Sequence, residues 1–242
     1  MSESRENRPS PSLSTGRIEA FSDGVFAVAI TLLVLNLQVP QIAASLVSSE
    51  LIFKLSDLWP KLVTYALSFV IVGIYWVAHH NTFHCIKHSD RNLLWLNILL
   101  LLCIVFIPFP TALLGQYPLQ RISVVIYGGT LVITGLVLQL LWWYVTANHL
   151  LDNEINPHVV QLATRRNLMA PLIYLFAIGI SFLSVQISLA FFVLVPVLYI
   201  LPGRIDQHWT ARDTHRAEEP ELLMMETPVE SVSSEQEVAE ER

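Results

Sequence analysis

The chain has 242 residues, of which 53% are hydrophobic and only 14% charged, with a mean hydropathy of +0.53. Soluble domains carry about 25% charged residues, and here Arg17 to Gly203 holds 15 charged side chains in 187 residues, which excludes an ordinary water-facing surface and places the segment in lipid. The formal charge of −6 comes from nine glutamates between Glu218 and Glu241; without Glu218 to Arg242 there are 13 basic and 11 acidic residues, a balance of +2.

Residues 1–16, rich in Ser, Pro, Asn and Arg, have no compact apolar stretch ending in a small-residue cleavage site, so a disordered segment is expected there rather than a signal peptide. Hydropathy and helix punctuation then divide the chain into six apolar spans near 17–39, 58–83, 92–115, 119–147, 168–185 and 188–203. The first, about 35 Å long at the α-helical rise, stops before Pro40. Between it and the second, Ile42, Leu46, Leu51, Ile52, Leu55 and Leu58 recur at roughly helical spacing among polar residues, which predicts a short interfacial helix. Asp57 with Pro60 opens the second span, Asp90 the third and Pro118 the fourth. Pro108 and Pro110 are candidates for a kink or a helix end. Only Gln186, Ile187 and Ser188 separate the last two apolar runs, and one continuous helix there would change the topology. The stretch 204–242, rich in Glu, Ser and Pro, is expected to be a disordered acidic tail.

Six spans put the N-terminus, the second and fourth loops and the tail on one side, and that side carries 11 of the 14 Lys and Arg. Lys54, Lys61 and Arg121 fall on the other. The bias places both termini in the cytoplasm. Cys85 and Cys103 form neither a C-x-x-C motif nor a disulfide framework. Trp95, Trp142, Trp143 and Tyr144 read as interfacial anchors, and Tyr127-Gly128-Gly129 as small-residue helix packing.

The first span reads RIEAFSDGVFAVAITLLVLNLQ and carries Arg17, Glu19, Ser22 and Asp23 in its opening turns. Ionisable groups at membrane depth are costly and face protein or water; the plainer alternative has Arg17 snorkelling to headgroups and Asp23 capping the helix. Arg17-x-x-x-Phe21-Ser22-Asp23, opening an apolar first span, resembles the signature of the transmembrane protein 175 family of potassium channels. Trp76 with His79-His80 at the end of the second span, and Arg165-Arg166-Asn167 before the fifth, resemble its prokaryotic members too. The resemblance covers residues 17 to about 203. It implies an all-α integral membrane protein of six transmembrane helices per subunit, a homotetramer in the prokaryotic inner cell membrane, and a potassium-permeable pore lined by the first helix. Its expected partners are the bilayer and potassium ions, with no cofactor, no metal and no nucleic acid.

Val28, Thr31 and Leu35 fall at i, i+3 and i+7 along one stripe of that helix. By the resemblance, Val28 forms an apolar ring, Thr31 a hydroxyl ring and Leu35 a second apolar ring. Val28 is smaller than the Ile or Leu expected there, so two alternatives stand: a wider gate, or a tightest ring at Leu32 and Leu35. An apolar ring opposes hydrated ions and dewets when narrow, whereas hydroxyl oxygens replace lost water. The chain has neither a T-V-G-Y-G filter nor an Arg-rich voltage-sensing helix.

The second span ends in WVAHHNTFHCIKHSD. One reading is a network in which Trp76 and His79 or His80 meet Ser22 and Asp23, with Arg17 joining and Asn97 contributing. The rival sets His80, His84 and His88 at successive i+4 positions as the ligands of a divalent-metal carrier. Enzyme classes find no support: G-x-S-x-G, H-E-x-x-H and Gly-rich phosphate loops are all absent from the sequence.

Overall fold

The computed structural model describes residues 15–151 and 157–200. Among these the chain is helical: α1 (Thr15–Leu32), α2 (Val47–Ser56), α3 (Trp59–His84), α4 (Arg91–Phe106), α5 (Pro108–Gln116), α6 (Arg121–Ala147), α7 (Pro157–Ser181) and α8 (Val185–Ile200). Tightened 3₁₀ turns, Leu33–Asn36 and Ala44–Leu46, follow α1 and precede α2. Among the described residues, four helical stretches are long and apolar enough to cross a bilayer: Thr15–Asn36, Trp59–His84, Arg91–Gln116 and Arg121–Ala147.

Local chemistry sets the boundaries. Asp90 caps α4, its Oδ1 accepting from Leu93 N at 2.8 Å, as its short acceptor beside an apolar run predicts. Pro60 fits the first turn of α3, where no backbone donor is needed. Asp57 makes no such cap; it follows α2, and Leu58 precedes α3. The helix opening after Pro118 begins at Arg121, with Pro118 in the preceding turn. Pro108 and Pro110 lack the donors that would bond to Ile104 and Phe106, so the third span breaks at Ile107 into α4 and α5. The first span is shorter than its apolar run, for the helix tightens at Leu33 and ends at Asn36 rather than Val39. The last two helices meet at Phe182–Ser184, not at Gln186–Ser188. The fifth starts at Pro157, eleven residues earlier than its apolar content suggested, and residues 201–203 of the sixth lie outside the described set. So do residues 1–14 and 204–242, while Thr15 and Gly16 join α1.

Hydrogen bonds between helices fix their directions. Glu19 and Asp23 of α1 meet His80 and Trp76 of α3, so these helices run antiparallel. Ser22 meets Asn97, and Asn36 Nδ2 donates to Pro108 O at 3.2 Å, so α1 runs parallel to α4–α5. Ser68 pairs with Tyr127 and Tyr75 with Leu131 O, making α3 parallel to α6. Trp142 Nε1 donates to Thr164 Oγ1, and Arg121 Nε to Ser181 O, making α6 antiparallel to α7. Ser188 Oγ donates to Ala177 O at 2.6 Å and Tyr199 to Arg166 O, so α7 and α8 form a helical hairpin. Each successive apolar helix therefore reverses direction.

Close packing rests on two glycines of α6. A Cβ at Gly135 would lie 2.5 Å from Pro171 Cγ, and one at Gly128 would lie 2.8 Å from Ile178 and Phe192 side chains. Small residues let neighbouring helices approach where lipid supplies little hydrophobic drive, as expected of Gly128. Pro171 sits inside α7 with its ring seated against Gly135. The hydroxyls of Ser68, Tyr127 and Thr111 form a buried cluster, each contact 2.9 Å, linking α3, α5 and α6. Trp142 is no interfacial anchor: it is 3% exposed and bonds across to α7, whereas Trp95 and Trp143 are exposed.

Candidate functional site

α1 is apolar on nearly every side, yet the rest of the chain covers one face only. Ile18, Ser22, Phe26, Ala29 and Leu33 are buried, spaced as one helical stripe. Val25 and Ile30 flank this stripe half-buried, and the opposite face is uncovered within the chain: Phe21 is 62% exposed, Val28 54%, Leu32 37% and Leu35 66%, with Thr31 exposed between them. A helix apolar all round is stable only with lipid or protein on its other faces.

Polar bonds hold α1 in this rotation. Ser22 Oγ donates to Ile18 O at 2.8 Å, so it must accept from Asn97 Nδ2 at 2.9 Å. That orients the Asn97 amide and leaves its Oδ1 facing His79 Nε2 at 2.9 Å. An amide oxygen only accepts, so the pattern requires the Nε2–H tautomer of His79. Ser22, Asn97 and His79 are all buried. The His79 ring stacks on Phe83 at 4.3 Å between centroids and lies 5.5 Å from Phe26, and its Nδ1 has no hydrogen-bond partner among the described residues.

Towards the end of the bundle two further rungs join α1 to α3. Trp76 Nε1 donates to Asp23 Oδ1 at 2.8 Å, and His80 Nδ1 lies 2.7 Å from Glu19 Oε1. Glu19 and Asp23 are one helical turn apart, as are Trp76 and His80, so the rungs stack; the Trp76 and His80 rings lie 5.8 Å apart. Each carboxylate thus has its own donor.

The structure therefore brings together Ser22, Asp23, Trp76, His79, His80 and Asn97. Both histidines are used, one for each layer. Arg17 is exposed and makes no hydrogen bond or ion pair among the described residues, and Phe21 faces away from the network. Glu19 as the partner of His80 was missed, although two i, i+4 pairs of complementary type in the first and second spans were the available signal. The histidine triad does not form. α3 ends at His84, and the chain turns at Cys85–Ile86 to bridge Leu151, taking His88 off the helical face. Among the described residues no group of three His, Cys, Asp or Glu can hold a metal.

Thr31 Oγ1 donates to Val28 O at 2.8 Å. Its only proton is used within the helix, so the lone pairs of this exposed hydroxyl are what it offers outward.

The fold and site define an all-helical, multi-pass membrane protein whose first helix is pinned by buried polar bonds and left uncovered on its apolar side. A family model described as endosomal/lysosomal potassium channel TMEM175 matches residues 17–108, which contain the whole network. A Chamaesiphon minutus protein named a potassium channel is 38% identical over 191 residues, covering 77% of this chain and 94% of that protein. A Streptomyces collinus protein, also named a potassium channel, is 35% identical over 190 residues, covering 76% and 91%. Among solved structures, the Chamaesiphon minutus homologue of the lysosomal potassium-selective channel TMEM175 aligns with a TM-score of 0.69 at 36% identity, over 77% of this chain and 96% of that one. This chain belongs to the TMEM175 family.

Proposed function

We propose that the protein is a potassium-permeable cation channel of the prokaryotic cell membrane, a homotetramer whose pore is lined by the uncovered face of α1. The observation that carries this reading is the division of α1 into a bonded, buried stripe and a bare stripe holding Val28, Thr31, Leu32 and Leu35. Four such faces around an axis would place apolar rings at Val28 and Leu35 about a ring of Thr31 hydroxyls. With its proton committed to Val28 O, each Thr31 oxygen would present lone pairs to a passing cation. An apolar ring favours the more weakly hydrated ion modestly, so selectivity for potassium over sodium would be limited. Leu35 lies in the 3₁₀ turn, which shifts its direction from the straight α-helical stripe; Leu32, at the edge of the bare face, is then the alternative position for the tightest ring.

Six crossings, by α1, α3, α4–α5, α6, α7 and α8, agree with the alternation of helix directions and put both termini in the cytoplasm with the acidic stretch 204–242. The relatives named as potassium channels favour a transport function over an enzymatic one.

The test is reconstitution of the purified chain in liposomes under potassium and sodium gradients. Potassium flux exceeding sodium flux severalfold, with unitary currents, is the expected result. Saturable carrier-like flux without unitary currents would sink the channel reading. Thr31→Ala should lower the potassium preference while leaving assembly intact.

A further inference from the structure

At the end of the bundle remote from the Ser22–Asn97–His79 network, a cleft of about 790 Å³ opens between the segment after α1, the α2–α3 corner and the end of α5. Lys54, Asp57 and Lys61 line it together with Gln38, Gln41 and Gln116. Lys54 and Lys61 are two of only three basic residues that the six-span arrangement assigns to this side, and the third is already occupied: Arg121 bonds Ser181 O at 3.1 Å and lies over the Phe182 ring at 5.1 Å. None of the six lining side chains makes a hydrogen bond or ion pair among the described residues, even though Asp57 is within reach of the same cleft. Two ammonium groups and one carboxylate give the lining a net charge of +1, and three carboxamides add neutral donors.

Two features fix the level and shape of the cleft. Its walls are the segment 38–41 just beyond the candidate span Thr15–Asn36, the start of Trp59–His84 and the end of Arg91–Gln116, so it lies where the hydrocarbon would give way to headgroups. Gly115 holds one wall close, because a Cβ there would come within 3.2 Å of Lys61 Cα, and Gln116 follows it in the lining. Next to the cleft α2 buries no residue and leaves Ile52 and Phe53 exposed, with Trp59 67% exposed at the start of α3. This is an apolar shelf at the height where acyl chains begin, and aromatic residues favour that boundary.

From this the geometry points to a binding site for the phosphate headgroup of an anionic phospholipid, held by Lys54 and Lys61 with the glutamine amides and with its acyl chains along α2. The inference needs the three helices to cross the bilayer and does not depend on ion permeation. A basic side chain near a membrane surface contributes about fivefold in affinity for acidic lipid.

The test uses the full chain in detergent micelles, with lipid binding followed by native mass spectrometry. Phosphatidylglycerol should bind more tightly than phosphatidylcholine, by about fivefold per lysine. Lys54→Gln with Lys61→Gln should remove the preference. Because Lys61 packs against Gly115, Lys54→Gln alone, at an exposed position, should halve the preference on a logarithmic scale, and Lys54→Arg should keep it, each with an unchanged thermal midpoint. Equal binding of the two lipids, or a preference that survives in the folded Lys54→Gln and double variants, overturns the inference. Displacement of phosphatidylglycerol by an excess of inorganic phosphate assigns the cleft to a free anion and overturns the lipid reading, whereas failure of phosphate to compete supports it. Loss of ion flux in an unrelated variant leaves these binding results unaffected, so the two readings fail separately.

Discussion

At the residue scale the most consequential side chain is Asn97. It hydrogen-bonds both Ser22 and His79, donating from its amide nitrogen to one and accepting at its oxygen from the other. Replacing it with Leu would leave the buried Ser22 oxygen without a donor, its own proton still on Ile18 O, and a buried imidazole N–H without an acceptor. Interhelical hydrogen bonds in membranes contribute about 0.6 kcal/mol on average and up to about 1.7, so Asn97→Leu, which breaks two, should cost about 1–3 kcal/mol. Denaturation of the detergent-solubilised protein measures this. A midpoint unchanged from the parent would mean that the triad contributes nothing. Most of this site was legible before the fold was known, because Ser22, Asp23, Trp76, His79 and Asn97 are polar residues in otherwise apolar runs and such groups need each other. The division of labour between His79 and His80 was not legible: adjacent helical residues point about 100° apart, and only the packing of α1 and α4 on α3 decides which one is buried.

At the element scale the closest contact is between α6 and α7, where Gly135 admits the ring of Pro171. Gly135→Val would drive a branched side chain into that ring, and overpacking of this kind typically costs about 1–3 kcal/mol. At Gly129, the residue next to Gly128 and about 100° round the helix, a Cβ would meet no neighbouring helix within 4 Å among the described residues. Gly129→Ala should therefore be neutral or slightly stabilising, and comparison of the two thermal midpoints separates packing from backbone propensity. Arg121 illustrates a second kind of element-scale bond. Its guanidinium meets the carbonyl of Ser181, the last residue of α7, and that of Phe182 just beyond it, where a cation also complements the helix dipole. Arg121→Gln should lower stability by about 0.3–1 kcal/mol at low salt and by less at high salt. The sequence located these helices but not their ends. The prolines at 108 and 110 warned of the break at Ile107, whereas the 3₁₀ turn after Leu32 and the early start of α7 had no comparable punctuation: the residues 157–167 are too polar to read as a span, and helix there follows from its packing against α6.

At the scale of the whole molecule, charge and direction agree. The interhelical bonds make successive apolar helices alternate, and the proposed six crossings would put both termini on the side that holds 11 of the 14 Lys and Arg. The polar network sits at one end of α1 and the polar cleft at the other, while the stretch between them is apolar and bare on one side. That bare side is what a single copy of the chain leaves uncovered, and the proposed pore shared between copies would cover it. Spacing alone grouped Val28, Thr31 and Leu35; their exposure depends on which face of α1 the network buries, which only the assembled fold reveals. The most direct test introduces cysteine singly at Val28, Thr31 and Leu35, and at the buried control Ala29, and records potassium currents in planar bilayers before and after a small cationic methanethiosulfonate is added. A pore along α1 predicts that the reagent blocks current at Thr31→Cys and at one or both apolar positions while sparing Ala29→Cys and the parent chain. Currents that persist unchanged at all three positions would contradict a pathway along α1.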